Sequence, residues 1–201
     1  MRRTIWVGLS ILLVIVGVLL LPRKKQSKPA FRPLCELPWS EYAKTLEAAR
    51  LYKDSVFQTS ERSPIPTPDR RSFRGLRYFR LDSCWRIVGW YEALPRALAP
   101  VIGQVWVDLP SLDSCKKPTP LLVYGSRGGE EPYIAFWDST AAQGLSYEGG
   151  RYVPVEIQGK KACLDFNRAY FPYCAYNPAY ICLPYPPQNR LCLSVLAGER
   201  W

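Results

Sequence analysis

From Trp85 onward the chain is written in short pieces. Seven runs rich in β-branched and aromatic residues are separated by Gly, Pro, Asp and Ser, as in "SRGGEE" and "QGK". They are roughly Trp85–Ala93, Ile102–Leu109, Pro120–Tyr124, Tyr133–Asp138, Arg151–Ile157, Lys161–Asp165 and Leu191–Leu196. Such side chains suit a pleated, half-buried surface, and turn residues at this spacing fold one strand back on the next. "VPVEIQGKKACLDF" reads as a hairpin with Gln158-Gly159 near its turn. The pattern predicts a mainly β (α+β) protein: a single antiparallel β-barrel or sandwich-like domain. Nineteen prolines and thirteen tyrosines agree with strands joined by ordered loops. In "SPIPTPDR" (Ser63–Arg70) three prolines impose an extended segment that is neither helix nor central strand.

A helix stands ahead of the strands. Ser40 can N-cap it, with Glu41 in the first turn. Tyr42, Leu46, Ala49, Tyr52/Lys53 and Val56 form an apolar stripe at helical spacing, so an amphipathic helix packed on the domain is expected. Further upstream, "IWVGLSILLVIVGVLLL" (Ile5–Leu21) is seventeen uncharged residues with Trp6 near one end. As a helix it would be about 26 Å long, a short span of the hydrocarbon core. No small-residue cleavage site follows in "LLLPRKK", so the run is read as a retained transmembrane anchor. The expected organisation is an anchor (1–22), a basic, proline-containing stem (23–38) and one β-rich domain (39–201), large enough for a core of its own.

The net charge of +10 belongs mostly to that N-terminus. Arg2, Arg3, Arg23, Lys24, Lys25, Lys28 and Arg32 give residues 1–33 a charge of +7, which leaves +3 for the rest. Basic residues flanking an apolar span point to anionic lipid headgroups. Membrane lipid is therefore the expected partner, through residues 5–21 and their flanks, with room for a protein partner in the membrane. No basic stripe or nucleic-acid motif follows, so no nucleic acid is expected. The Lys/Arg count would put the domain in the cytoplasm, but long domains translocate largely regardless of flank charge. The reading taken is a single-pass cell-membrane protein with an extracytoplasmic domain.

No histidine occurs in the chain. That removes Ser-His-Asp triads, Cys-His dyads and imidazole-held metals, leaving acid–base work to Asp, Glu, Lys, Tyr or Cys. Without a CxxC pair, a Walker loop or GxGxxG, no metal and no cofactor is expected. Two stretches hold the candidate chemistry. In "FWDSTAAQGLSYEGGRY" (Phe136–Tyr152), Asp138 and Thr140 precede Gly149-Gly150 and Arg151. This is either an anion pocket of backbone N–H groups beside a guanidinium oriented by Asp138, or a bulged turn whose Asp and Ser/Thr cap the backbone.

The second stretch is "DFNRAYFPYCAYNPAYICLPYPPQNR" (Asp165–Arg190), with five prolines and five tyrosines. Asp165, Asn167, Arg168, Asn189 and Arg190 either tie this long loop down or present donors to a carboxylate or phosphate. Cys174 and Cys182 are close enough in sequence to close a disulfide, worth about 2–3 kcal/mol in an oxidising compartment. Alternatively, Cys174 is a low-pKa thiolate beside Arg168. The cysteines number seven, so at least one is free or pairs between chains.

These motifs resemble the bacterial and archaeal family of domain of unknown function 1684, over about Tyr42 to Glu199. The resemblance rests on "SPIPTPDRRSFRGLRYF", "DSTAAQGLSYEGGRY", "DFNRAYFPYCAYNPAYICLPYPPQNRL" and the closing "AGE". By that resemblance the hallmark positions are Asp138, Thr140, Tyr147, Gly149, Gly150, Arg151, Asp165, Asn167, Arg168, Tyr170, Cys174, Cys182, Asn189, Arg190 and Glu199. The chain departs from the family pattern at Phe171 and Tyr173, at Leu183-Pro184-Tyr185-Pro186 and at Ala141–Gln143. The family implies a motif and no known activity. The function expected is a cell-envelope binding or accessory protein with a polar site in the 136–152 and 165–190 loops. The alternatives are a histidine-independent enzyme, a hydrolase or thiol-dependent one, using Asp165, Arg168 and Cys174, and an accessory subunit of a larger membrane complex.

Overall fold

The structure, a computed structural model, describes residues 34–95, 100–109, 119–125 and 131–201. The Ile5–Leu21 run, its flanks and Cys115 lie outside the described residues. Among the described residues no helix is long and apolar enough to cross a membrane.

Helix α1 spans Trp39–Thr59. Ser40 does not cap it. Pro38 is the N-cap residue (φ −54°, ψ 140°), and its carbonyl accepts from the Glu41 and Tyr42 amides at 3.1 and 2.9 Å. A proline there contributes no side-chain acceptor, so the first turn is fixed by backbone alone. The expected stripe is also displaced. Tyr42 and Phe57 are buried, while Ala49 and Tyr52 face solvent. The docking face runs through Arg50, Lys53 and Asp54 instead. Arg50 lies 4.1 Å from the Tyr78 ring centre and donates to the Asn167 carbonyl at 3.0 Å, and Asp54 accepts from the Leu76 amide at 2.9 Å. This helix is held by specific polar contacts, which apolar periodicity does not reveal.

After α1 come β1 (Arg77–Tyr78), β2 (Arg86–Ala93), β3 (Val101–Val107), β4 (Thr119–Tyr124), β5 (Tyr133–Phe136), the short α2 (Ser139–Ala142), β6 (Arg151–Gln158), β7 (Lys161–Asp165) and β8 (Glu199–Arg200). Strands β2 to β7 close into an antiparallel barrel, with β7 pairing back on β2. The two-residue strands β1 and β8 pair with each other beside it. The Gln158-Gly159 hairpin forms with Gly159 in the left-handed region (φ +58°), where a side chain would be strained.

Period-two alternation fills the barrel. Ile87, Val105, Leu121, Val123, Ile134, Phe136, Val153, Val155 and Leu164 point inward and are buried together. Full burial of each such side chain stabilises by roughly 1.5–3 kcal/mol. Gly89 also faces in: a Cβ there would come within 2.8 Å of Val105 and Val107, so this narrow barrel needs a glycine on β2.

Leu191–Leu196, expected as a seventh strand, is not one. It lies across the end of the barrel. The Leu191 amide donates to the Trp137 carbonyl (2.7 Å) and the Val195 amide to Asp138 Oδ2 (2.8 Å). A side chain supplies what a neighbouring strand would have supplied, so the residues read as strand without joining a ladder.

Candidate functional site

Arg151 begins β6 on the same inward face as Val153 and Val155, and it is fully buried. Its Nη2 donates to Asp138 Oδ1 at 2.8 Å and to the Val195 carbonyl at 2.8 Å. Its Nη1 donates to the carbonyls of Ala197 (2.5 Å) and Glu199 (3.2 Å). The guanidinium also lies 5.3 Å from the Phe136 ring centre and 5.7 Å from that of Phe79. Burial pulls its pKa down, while Asp138 holds it charged. Asp138 in turn caps α2, accepting from the Thr140 hydroxyl at 2.8 Å, and that hydroxyl meets the Ser146 hydroxyl at 2.7 Å. The glycines shape the approach. Gly150 sits at φ +89° against the Phe136 carbonyl, and Gly149 lies against the Tyr147 ring, which packs on Phe171 and Trp201. Asp138, Thr140 and Arg151 thus clasp the C-terminal segment to the barrel end, with their donors and acceptors turned to the protein.

The two buried asparagines act alike. Asn167 accepts from the Asp82 amide (3.0 Å) and donates to the Asp82 carbonyl (2.8 Å). Asn189 accepts from the Leu122 amide (2.7 Å) and donates to the carbonyls of Leu122 (3.0 Å) and Ala135 (2.8 Å). A carboxamide has the donor–acceptor geometry of a peptide group, so each stands in for a strand residue. Asn189 does so where β4 and β5 pair only at Tyr124 and Tyr133, completing the barrel's weakest seam.

Asp165 ends β7 and caps the turn after it, accepting from the Asn167 amide at 3.1 Å. Its Oδ2 and the Tyr42 hydroxyl are buried without a hydrogen bond of normal length, and the two face each other. Burial raises the pKa of Asp165, opposed by Tyr42, Asn167 and Arg168. Burial, with the Asp165 charge adding to it, raises that of Tyr42. Arg168 pairs with Glu131 at 2.6 Å and Glu156 at 3.1 Å. Arg190 stacks 4.1 Å from the Trp137 ring centre. Buried Glu199 accepts from Lys53 (2.5 Å), the Phe171 amide (2.7 Å) and the Tyr176 hydroxyl (2.8 Å). Cys174 is bonded to Cys182, so it holds no thiolate here, and Cys35 is bonded to Cys163. Cys84, exposed and free, has its pKa raised by a hydrogen bond to Asp82. No cluster of three or more potential metal-ligating Cys, Asp or Glu side chains forms among the described residues.

A small hollow of about 180 Å³ beside α1 is lined by Asn167, Arg168, Tyr170 and Glu199 together with Arg50 and Lys53, and a wider space lies elsewhere. A groove of about 820 Å³ runs along the outside of β5 and β6, walled by the disulfide loop. Its floor is a row of rings: Tyr133 stacks on Tyr152 (5.1 Å), and Tyr152 meets Tyr170 edge-on (5.8 Å); Tyr124, buried and outside the lining, stacks on Tyr133 (5.6 Å). Lys53 lies 4.9 Å from the Tyr170 ring centre at one side. Tyr173, Tyr180, fully exposed Ile181 and Leu183 form the lip. The Tyr152 hydroxyl donates to the Leu183 carbonyl at 2.6 Å, and burial pushes its pKa up to about 12, so it remains a donor. Of the expected site residues only Tyr170 and Cys182 line this groove. Tyr133, Tyr152, Tyr180 and Lys53 were missed. The signal was there in "RYVPVEI": if Arg151 points inward, Tyr152 must point out.

Fold and site together define a six-stranded antiparallel barrel protein whose end is closed by side chains and whose outer face carries an aromatic groove. Residues 71–200 match the family described as "Protein of unknown function (DUF1684)", and the chain belongs to that family. A solved relative is an uncharacterised protein of Haloarcula marismortui, determined by NMR in solution. It is 29% identical with a TM-score of 0.63, over 81% of this chain and 95% of that one. No curated protein matches.

Proposed function

We propose that the chain is a membrane-anchored binding protein of the cell envelope that holds an extended, proline-rich peptide segment in the tyrosine groove. The observation that carries this is the contact between Tyr152 and the groove's own rim. There a phenol hydroxyl grips the Leu183 carbonyl, at the start of a strap ("LPYPP") whose Pro186 has polyproline angles (φ −76°, ψ 154°). Aromatic grooves recognise the polyproline conformation because it is already extended and loses little entropy on binding. The groove continues past that strap between Tyr133, Tyr170, Tyr173 and Tyr180, flanked by Lys53, which is paired with Glu199, and Glu131, which is paired with Arg168. The hallmark Asp, Asn and Arg side chains hold the barrel end closed, and the groove is lined by other residues. The anchor is Ile5–Leu21, read from the sequence.

The test is a titration of full-length protein in detergent with proline-rich dodecapeptides, scrambled controls and glycan oligomers, read by fluorescence anisotropy. Proline-rich peptides should bind, and Tyr180→Ala, at an exposed lip position, should weaken binding about tenfold, equivalent to about 1.4 kcal/mol. Glycan binding without peptide binding, or no effect of Tyr180→Ala, would sink the reading.

A further inference from the structure

The barrel carries a second apolar surface that the groove does not use. Trp90 on β2 and Trp106 on β3 are direct cross-strand partners, and Val88 lies two residues from Trp90 on the same outward face. They are 52%, 39% and 59% exposed. Single exposed apolar residues are ordinary, but two adjacent tryptophans beside a valine form a contiguous patch. Its borders are cationic on one side and carry the carboxylate of Glu92 on the other. Lys160 lies 5.2 Å from the Trp90 ring centre, and Lys161 pairs in register with Trp90. Glu92 accepts from Gln104 (2.8 Å) and the Trp106 indole (3.4 Å) at the far border.

The N-terminal stem meets the barrel beside this patch. Val88 stands opposite Cys163, whose sulfur is bonded to Cys35. The Leu34 amide donates to Glu156 at 2.9 Å, and Arg86 donates to the Leu37 carbonyl at 3.0 Å. Residues 34–37 are therefore fixed to β2, β6 and β7. Only residues 22–33 separate that point from the apolar run, and they carry Arg23, Lys24, Lys25, Lys28 and Arg32 with no acid. Fully extended, twelve residues reach at most about 40 Å.

We infer that the Val88, Trp90 and Trp106 face seats in the headgroup layer of an anionic bilayer. The inference rests on the anchor in the reading above and not on the groove. The stem is fixed to the barrel on this side, so a tether of at most about 40 Å leaves from beside the patch. That side presents indoles, which favour the membrane interface, and lysines, which favour anionic headgroups. In the barrel order, β2 lies opposite β5, so seating this face turns the tyrosine groove of β5 and β6 away from the lipid.

The test uses full-length protein in vesicles of mixed zwitterionic and anionic lipid, with and without brominated acyl chains, and reads tryptophan quenching. Trp90→Phe/Trp106→Phe is compared with wild type. These positions are exposed, so the variant should fold, and circular dichroism checks that it does. Wild type should lose more emission to bromolipid than the double variant, and iodide in the water should show the reverse order. The excess should shrink when anionic lipid is left out. Trp6→Phe, made in both backgrounds, isolates the Trp6 share of the quenching by difference and is the internal control. Quenched Trp6 with equal quenching of wild type and variant overturns the seat and leaves the anchor standing. Unquenched Trp6 removes the anchor, and the seat with it. Burial of Trp90 and Trp106 from both bromolipid and iodide at rising protein density would mean that a second copy covers the face, which also overturns the seat.

Discussion

Arg151 and Tyr152 are neighbours on one strand and live in opposite conditions. Arg151 points into the barrel end, where nearly every surrounding polar group is matched. Tyr152 points out into a groove, with one bond to a carbonyl and rings on either side. The first environment is rigid and closed, so changes there should be read in stability. The second is open and can accept something new. Three of the most distinctive hallmark residues, Asp138, Arg151 and Asn189, thus lie on the closed side, where their bonds go to the chain itself.

The largest test of that contrast is Arg151→Met. Removing one partner of a buried pair strands Asp138, along with the carbonyls of Val195 and Ala197, and should cost about 3–5 kcal/mol in urea unfolding. A loss under 1 kcal/mol would mean that the clasp is not the closure described. Asn189→Ala comes next, at about 1–3 kcal/mol, because it leaves the Leu122 amide and the Leu122 and Ala135 carbonyls unpaired. Hydrogen exchange should locate the loosening at the β4–β5 seam. Cys174→Ser/Cys182→Ser should cost about 2–3 kcal/mol by freeing the loop in the unfolded chain. It also loosens the groove lip, so peptide binding should weaken with it, whereas Asn189→Ala should leave binding by the folded protein intact.

The unequal legibility of the two regions has a physical origin. The barrel strands were visible because inward positions repeat every second residue, as in Val153 and Val155. The closed end was half visible: Asp138, Arg151 and Asn189 stood out by type, but whether they faced a ligand or the chain depends on partners 44 to 67 residues away. Leu191–Leu196 misled for the same reason, since its hydrogen bonds go to Asp138 and Trp137. The docking face of α1 was hidden because cations over tyrosines and a lysine–glutamate pair leave no apolar period. The groove was least legible, being assembled from two barrel strands, helix α1 and several loops whose tyrosines are individually unremarkable.

The smallest effect separates a group trapped in the closed region from one that is merely near it. Asp165 lies under α1, and burial raises its pKa above the unfolded value of about 3.9. Between those two values the folded chain binds more protons than the unfolded one. Stability from this group is therefore complete below about pH 4 and is lost as pH rises through the folded-state pKa. Asp165→Asn keeps the oxygen that accepts from Asn167 and removes the titration. The stability difference, wild type minus Asp165→Asn, should fall as pH rises from 4 to 7, and taking that difference cancels the titration of other carboxylates. A difference that instead grows with pH would mean that Asp165 is held as a carboxylate by a partner, and the space between it and Tyr42 would then belong with the open side of the molecule.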